Sequence, residues 1–306
     1  MKKNKLLKKI IMARQLYLML LIPLLYLLIF AYMPMTGIQV AFKEFSYKLG
    51  VWGSEWIGFE HFEKFITNRK FGTYLTNTLR ISIYSMLASN LVPLALALCL
   101  NVIKPGIFRK AVQVVSYLPH FISVVVLCGI VIQMLNPIVG IYGSAGMFFT
   151  GERPKDILSI PYAFTHIYVW SGVWQNAGWS SIIYTAALAN SDQQLHEAAQ
   201  IDGASRMQRV WHIDIPTIIP TFVILMIMNA GKIMNVGFEK VFLLQNSLNL
   251  SYSETISTYV YKQAFQTARA DFGYSTAIGL FNSVINIILL VFVNRVSKKV
   301  SETSLW

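Results

Sequence analysis

The residues of this chain that could do chemistry form two groups, and neither is a catalytic set. Asn229, Lys232, Asn235 and Glu239 fall within a sector of roughly 120° at about 100° per residue, so on a helix they make one polar stripe in an otherwise apolar run. An amine flanked by amides can hold an anionic, hydroxyl-rich solute. The competing uses of Lys232 are snorkelling to the surface and pairing with an acid on a neighbouring chain. Trp170 and Trp174, four apart, share a helix face, and an indole ring offers a flat platform for the C–H face of a sugar. A membrane-interface belt uses tryptophan equally well, and Gln175 and Asn176 beside them can bond hydroxyls or neighbouring helices. No Gly-x-x-x-x-Gly-Lys loop is present to cradle the phosphates of ATP. His61, His120, His166, His196 and His212 lack ligand spacing, and Cys99 and Cys128 fall inside apolar runs. Neither a metal nor a cofactor is expected on the chain.

A third feature carries no chemistry but has the shape of a docking element. It is Glu197-Ala198-Ala199-Gln200-Ile201-Asp202-Gly203-Ala204, followed by Ile213, Pro216 and Pro220. Ser191 with Gln194 has the spacing of a capping box, and Asp192 suits the positive end of a helix. The helix would carry Leu195, Ala198, Ala199 and Ile201 and stop at Gly203, where glycine accepts a left-handed backbone. Pro216 and Pro220 then bracket the return into an apolar run. Small alanines let a partner's backbone approach closely.

The elements that must position these residues are membrane helices. Hydrophobic residues make up 55% of the 306 and charged residues 13%, about half the charge of a soluble domain. Apolar runs long enough to cross a bilayer lie near residues 11–33, 77–103, 112–135, 161–189, 217–237 and 274–296, which predicts an all-α protein of about six spans in one domain. Ser171, Gln175, Asn176, Ser180 and Ser181 interrupt the fourth run, implying a face turned to protein or water. The first run follows Lys2-Lys3-Asn4-Lys5, contains Pro23 and has no small-residue cleavage site after it, so it reads as an anchor. Both termini are expected inside, with Lys2, Lys3, Lys5, Lys8, Lys9, Arg14, Lys104, Arg109, Lys110, Arg206, Arg209, Arg295, Lys298 and Lys299. The net charge of +12 then reflects membrane topology more than nucleic-acid binding. In the outer loop at about 34–76, Trp56, Phe59, Phe62, Phe65, Ile66, Phe71 and Tyr74 recur at spacings of three and four. They predict an amphipathic helix that braces an external protein or packs on the chain's own spans.

The stretch from Glu197 to Pro220 resembles the cytoplasmic EAA loop, about residues 190–216 here, of bacterial ABC importer permeases. The resemblance extends over nearly the whole chain, to the oligosaccharide permeases of the lipoprotein-associated and polygalacturonan type. Tyr32-Met33-Pro34-Met35, Ala41-Phe42-Lys43, Trp56-Ile57-Gly58-Phe59, Asn77-Thr78-Leu79, Leu118-Pro119-His120-Phe121-Ile122-Ser123, Gly178-Trp179 and Ile182-Ile183-Tyr184 carry it. It implies a maltose-transporter-like fold and a bacterial cell-membrane location. It also implies a heterodimer with a second permease, two ATPase subunits that bind ATP and Mg, a substrate-binding lipoprotein outside, and an oligosaccharide substrate. Glu197, Ala198, Ala199, Asp202 and Gly203 would then couple the chain to the ATPase, and Trp170, Trp174, Asn176, Asn229, Lys232 and Asn235 are candidates for substrate contact. The alternative is an ion-coupled secondary transporter of a small polar solute. Such a carrier needs ionisable residues deep in several spans and usually an internal repeat; this sequence offers chiefly Lys232 and no evident repeat.

Overall fold

The computed structural model describes residues 12–267 and 270–301; the basic run Lys2, Lys3, Lys5, Lys8 and Lys9 lies outside them. Among the described residues the chain is helical apart from one antiparallel two-residue ladder, Lys43–Glu44 against Glu55–Trp56. Among the described residues four helices are long and apolar enough to cross a membrane: Arg14–Phe42, Phe71–Val102, Arg206–Ala230 and Phe272–Lys298. The expected third span forms as two helices, Ile107–Phe121 and Val124–Leu135, meeting at 103°. Pro119 brings no N–H to the ladder, and Ser123 Oγ accepts from Val126 N at 3.3 Å, so one helix stops and another is capped within four residues. The fourth long helix, Ala163–Leu188, has 26 residues, about 39 Å at ~1.5 Å per residue. The polar residues noted above keep it out of the apolar set.

The fifth long helix ends earlier than its apolar run suggests, at Ala230, and the next helix spans Phe238–Leu244. The polar stripe expected on one continuous helix is therefore not formed as such. Gly231 lies so close to the sixth helix that a Cβ there would sit 2.7 Å from Leu290 Cδ1. In the break, Met234 N donates to Asn286 Oδ1 (2.9 Å) and Met234 O accepts from Asn282 Nδ2 (3.2 Å). Side-chain amides thus take over backbone groups that a helix would have satisfied, which is the condition for broken helices at membrane depth. The expected amphipathic helix of the 34–76 loop is also divided. Trp56 lies in the ladder, Glu60–Ile66 is a separate helix, and Phe71 starts the second long helix after a turn in which Asn68 Oδ1 accepts from Lys70 N at 2.8 Å.

The chain forms two compact units. One comprises the described residues up to Ile66 together with 263–280. Its core holds Val40, Ala41, Phe65, Tyr274, Ala277 and Ile278. The Phe42 ring packs among Trp56, Phe59 and Phe62, and the buried Lys43 amine donates to Val51 O at 2.8 Å. The first long helix buries none of its most apolar window, leaving that face for lipid or another chain.

The other unit comprises Thr67–Lys262 and the residues from Phe281 on. Its centre is the pairing of the second and fourth long helices. Ile81, Ala88, Cys128, Phe164, Val169, Val173, Val236, Val241 and Leu244 form one apolar cluster; Ala97, Tyr184, Leu188 and Ile218 form another. Polar bonds cross the packing. Asn90 Oδ1 accepts from Asn229 Nδ2 (3.1 Å) and Tyr184 OH (3.4 Å), joining three helices. Gln175 Nε2 donates to Ile122 O at 2.7 Å, stapling the bend of the third span. Gly178 lies on the backbone of Ser116, where any Cβ would overlap its carbonyl. Gln175 is thus one polar residue of the fourth run whose partner lies in another span.

Candidate functional sites

The docking helix forms as Gln193–Ile201. Its cap is Asp192, whose Oδ1 accepts from Gln194 N at 2.8 Å, while Ser191 Oγ donates backward to Leu188 O. The capping box expected at Ser191 and Gln194 occurs instead at Ser205 and Gln208, which opens the next helix. Gly203 adopts φ +79°, and Ala204 N returns to Ala199 O at 2.9 Å, ending the helix. Glu197, Ala198, Asp202 and Gly203 are exposed and Ala199 is half-buried. Glu197 makes no hydrogen bond or ion pair among the described residues. No residue of this helix is buried, and Ile201 is 86% exposed. A helix that shows apolar side chains and small residues to the outside is built to be covered.

Behind it is a group that sequence reasoning did not single out. His196 Nε2 lies 3.2 Å from Asp214 Oδ1, and Asn101 Nδ2 donates to the same oxygen at 3.1 Å. Asp214 is 2% exposed. All three line a cavity of about 660 Å³ with Lys104, Arg109, Arg206 and Arg209. The available signal was a carboxylate placed directly before an apolar run.

A second cavity, about 200 Å³, opens where the fifth helix breaks. Asn229, Lys232 and Asn235 line it together with Ser82, Ser85 and Ser89 of the second long helix and Tyr168 of the fourth. The three predicted residues are brought together by the break, not by helical periodicity. Asn229 is engaged with Asn90. Asn235 Oδ1 accepts from both Asn282 and Asn286 at 3.1 Å. Lys232 is exposed and lines the cavity; its backbone N donates to Asn229 O at 3.0 Å, while its amine forms no hydrogen bond or ion pair among the described residues. Ser82 Oγ is buried with no hydrogen-bond partner among the described residues. Glu239, the last member of the stripe, does not line this cavity.

The remaining candidates lie elsewhere. Trp170 and Trp174 are each half-exposed on the fourth helix, and Trp170 Nε1 donates to Tyr84 OH at 2.8 Å. Asn176 Oδ1 is bonded to His120 Nδ1 at 2.9 Å, and the His120 ring stacks on Trp179 with centroids 4.6 Å apart. None of these three candidates lines the Lys232 cavity. Asn77 and Thr78 do pin a distant segment: Asn77 Nδ2 donates to Ser251 O and Glu254 O, both at 3.1 Å, and Thr78 Oγ1 accepts from Ile256 N at 3.0 Å. Lys240 is buried and donates to Tyr168 O at 2.7 Å, beside Gly172, which leaves room for the amine.

Several apolar spans, a surface helix left for a partner and a polar cavity between helices together define a membrane transport subunit. Residues 91–302 match the family described as binding-protein-dependent transport system inner membrane component, and the chain belongs to that family. Over 95% of its length it is 40% identical to Protein LplB of Bacillus subtilis, covering 91% of that protein. Over its whole length it is 38% identical to the polygalacturonan/rhamnogalacturonan transport system permease protein YteP of the same organism, covering 94% of it. Among solved structures it resembles a bacterial ABC transporter involved in the import of the acidic polysaccharide alginate, with a TM-score of 0.88, 37% identity and coverage of 97% of this chain and 99% of that one. A bacterial alginate ABC transporter in complex with an alginate pentasaccharide-bound periplasmic protein gives a TM-score of 0.87 at 36% identity. The family decides between the two readings of the sequence: the chain is an ABC permease, not an ion-coupled carrier.

Proposed function

We propose that this chain is one of two permease subunits of an ATP-driven importer for an acidic, uronate-containing oligosaccharide. The observation that carries the substrate class is Lys232, an amine with no acid among the cavity's lining residues, where the amides of Asn229 and Asn235 and the hydroxyls of Ser82, Ser85 and Ser89 lie with the apolar Ile81, Met86, Ile233 and Val236. A lone cation in such a lining fits a carboxylate on a ring of hydroxyls, since a charged amine within a membrane span is costly unless it is paired or wetted. The names of the relatives support the same class: one transports polygalacturonan, another alginate.

Energy comes from outside the chain. Both termini and the Glu197 helix face the cytoplasm, following the positive-inside rule. Two ATPase subunits carry ATP and Mg, and the exposed helix Gln193–Ile201 docks into one of them, with Glu197 pairing a basic residue there and Ala198 and Ala199 allowing close approach. A second permease covers the exposed faces of the long helices. A substrate-binding lipoprotein delivers the sugar from outside, as the periplasmic protein is seated on the alginate transporter. ATPase closure opens the cavity outward and hydrolysis returns it inward.

The test is purification of the tagged chain with the proteins that accompany it, followed by reconstitution into vesicles. The complex should contain an ATPase and take up a labelled oligouronate only with ATP and the loaded binding protein. Uptake by this chain alone, without ATPase or ATP, would overturn the proposal.

A further inference from the structure

The helix Gln193–Ile201 has to move the spans, yet little packing joins it to them. It buries no side chain of its own, and a cavity of about 660 Å³ lies alongside it. The covalent route to the fifth helix is compliant. It passes Gly203, at φ +79°, and the π-helical turn Val210–Asp214, a loosened form of helix. A push on the docking helix is therefore absorbed unless something else bridges the gap.

We propose that His196, Asp214 and Asn101 are that bridge, positioning residues that transmit the ATPase stroke to two spans at once. His196 comes from the docking helix, Asp214 immediately precedes the helix Ile215–Ala230, and Asn101 lies in the last turn of Phe71–Val102. One oxygen, Asp214 Oδ1, takes both contacts, at 3.2 and 3.1 Å. Asp214 is the single acid lining the cavity among the described residues, so no other carboxylate can replace it. The bridge is also continuous with rigid structure. Asn101 is four residues from Ala97 and Asp214 four from Ile218, one helical turn in each case, and both apolar residues belong to the buried cluster with Tyr184 and Leu188. Motion of His196 thus reaches a packed core in one hydrogen-bonded step, and from there the fifth helix leads to its break at Lys232.

The inference rests on the proposed docking of this helix to an ATPase, and the experiment separates the two. The complete complex, reconstituted with its binding protein, is compared with His196→Ala, Asp214→Ala, Asp214→Asn and the His196→Ala/Asp214→Ala double variant, measuring ATPase copurification, ATP hydrolysis and oligouronate uptake. Both alanine variants should retain the ATPase and hydrolyse ATP within about two-fold of the wild type, while uptake per ATP falls about ten-fold. Asp214→Asn, which keeps the accepting oxygen, should retain at least half of the coupling. The double variant should be no worse than Asp214→Ala, as expected of residues acting as one unit. Unchanged uptake per ATP in assembled His196→Ala would overturn the bridge, as would loss of assembly in both alanine variants, which would make the group a folding element. Absence of an ATPase from the wild-type complex would instead overturn the docking reading beneath it.

Discussion

The fifth long helix has two functional ends held by opposite means. At its docking end the helix starts and stops are closed by local bonds: Asp192 caps Gln194, Ser205 and Gln208 cap each other, and Ala204 closes on Ala199, with Asn101 on Asp214 as the long-range tie. At its cavity end they come from far along the chain. Asn282 and Asn286 satisfy the backbone of Met234, and Asn90 holds Asn229 across 139 residues. A locally closed element can be carried as a unit by whatever binds it. A break held by distant amides changes only when neighbouring helices move. One end therefore receives force, and the other converts relative helix motion into a change of cavity.

The largest expected effect lies at the cavity end. Asn286→Leu leaves Met234 N–H without a partner and removes one of the bonds to Asn235, a loss of about 1–3 kcal/mol that should appear as a lowered thermal midpoint of the purified complex. An unchanged midpoint would show that the break is held by packing instead. Next, Glu197→Arg should leave the midpoint unchanged, because Glu197 is exposed, but cut ATPase copurification and substrate-stimulated hydrolysis several-fold. Wild-type values for both would remove the docking role and with it the contrast between the ends. The smallest effect is expected from Gly203→Ala. No atom crowds a Cβ there, so the variant carries only the left-handed backbone cost of about 1 kcal/mol, confined to the end of one helix. Backbone amide exchange should quicken in 193–204 and stay unchanged in 215–230. Quickening in both would mean that the docking end is not a separate element.

The same division governs what could be read from the sequence. Helix start, helix stop and exposed alanines near Glu197 follow short-range rules, and the docking helix lies where they put it; only the capping partner moved, because Ser191 is engaged with Leu188. The break after Ala230 was not legible, since its cause sits on another helix, in Asn282, Asn286 and the contact of Gly231 with Leu290. Periodicity thus grouped Asn229, Lys232 and Asn235 through a helix that does not continue, and the structure groups them around a cavity. For Asn176 the sequence leaves open sugar hydroxyls or a neighbouring helix, and in the fold its oxygen is bonded to His120, a partner 56 residues away. The polarity of the fourth run was visible; that Gln175 staples the bent third span was not, because Ile122 O becomes available only once the bend forms. His196 and Asp214 escaped notice because each is unremarkable alone and they meet only in the fold.

The central claim is that the unpaired amine of Lys232 receives the carboxylate of the transported sugar. It is tested by uptake in vesicles holding the complete complex, wild type against Lys232→Met, using an oligouronate and a neutral oligosaccharide of equal length. The account predicts that the variant assembles, hydrolyses ATP and loses most of its oligouronate uptake while uptake of the neutral sugar changes little. Equal loss for the two sugars, or a failure to assemble, would contradict it and make the lysine a structural residue.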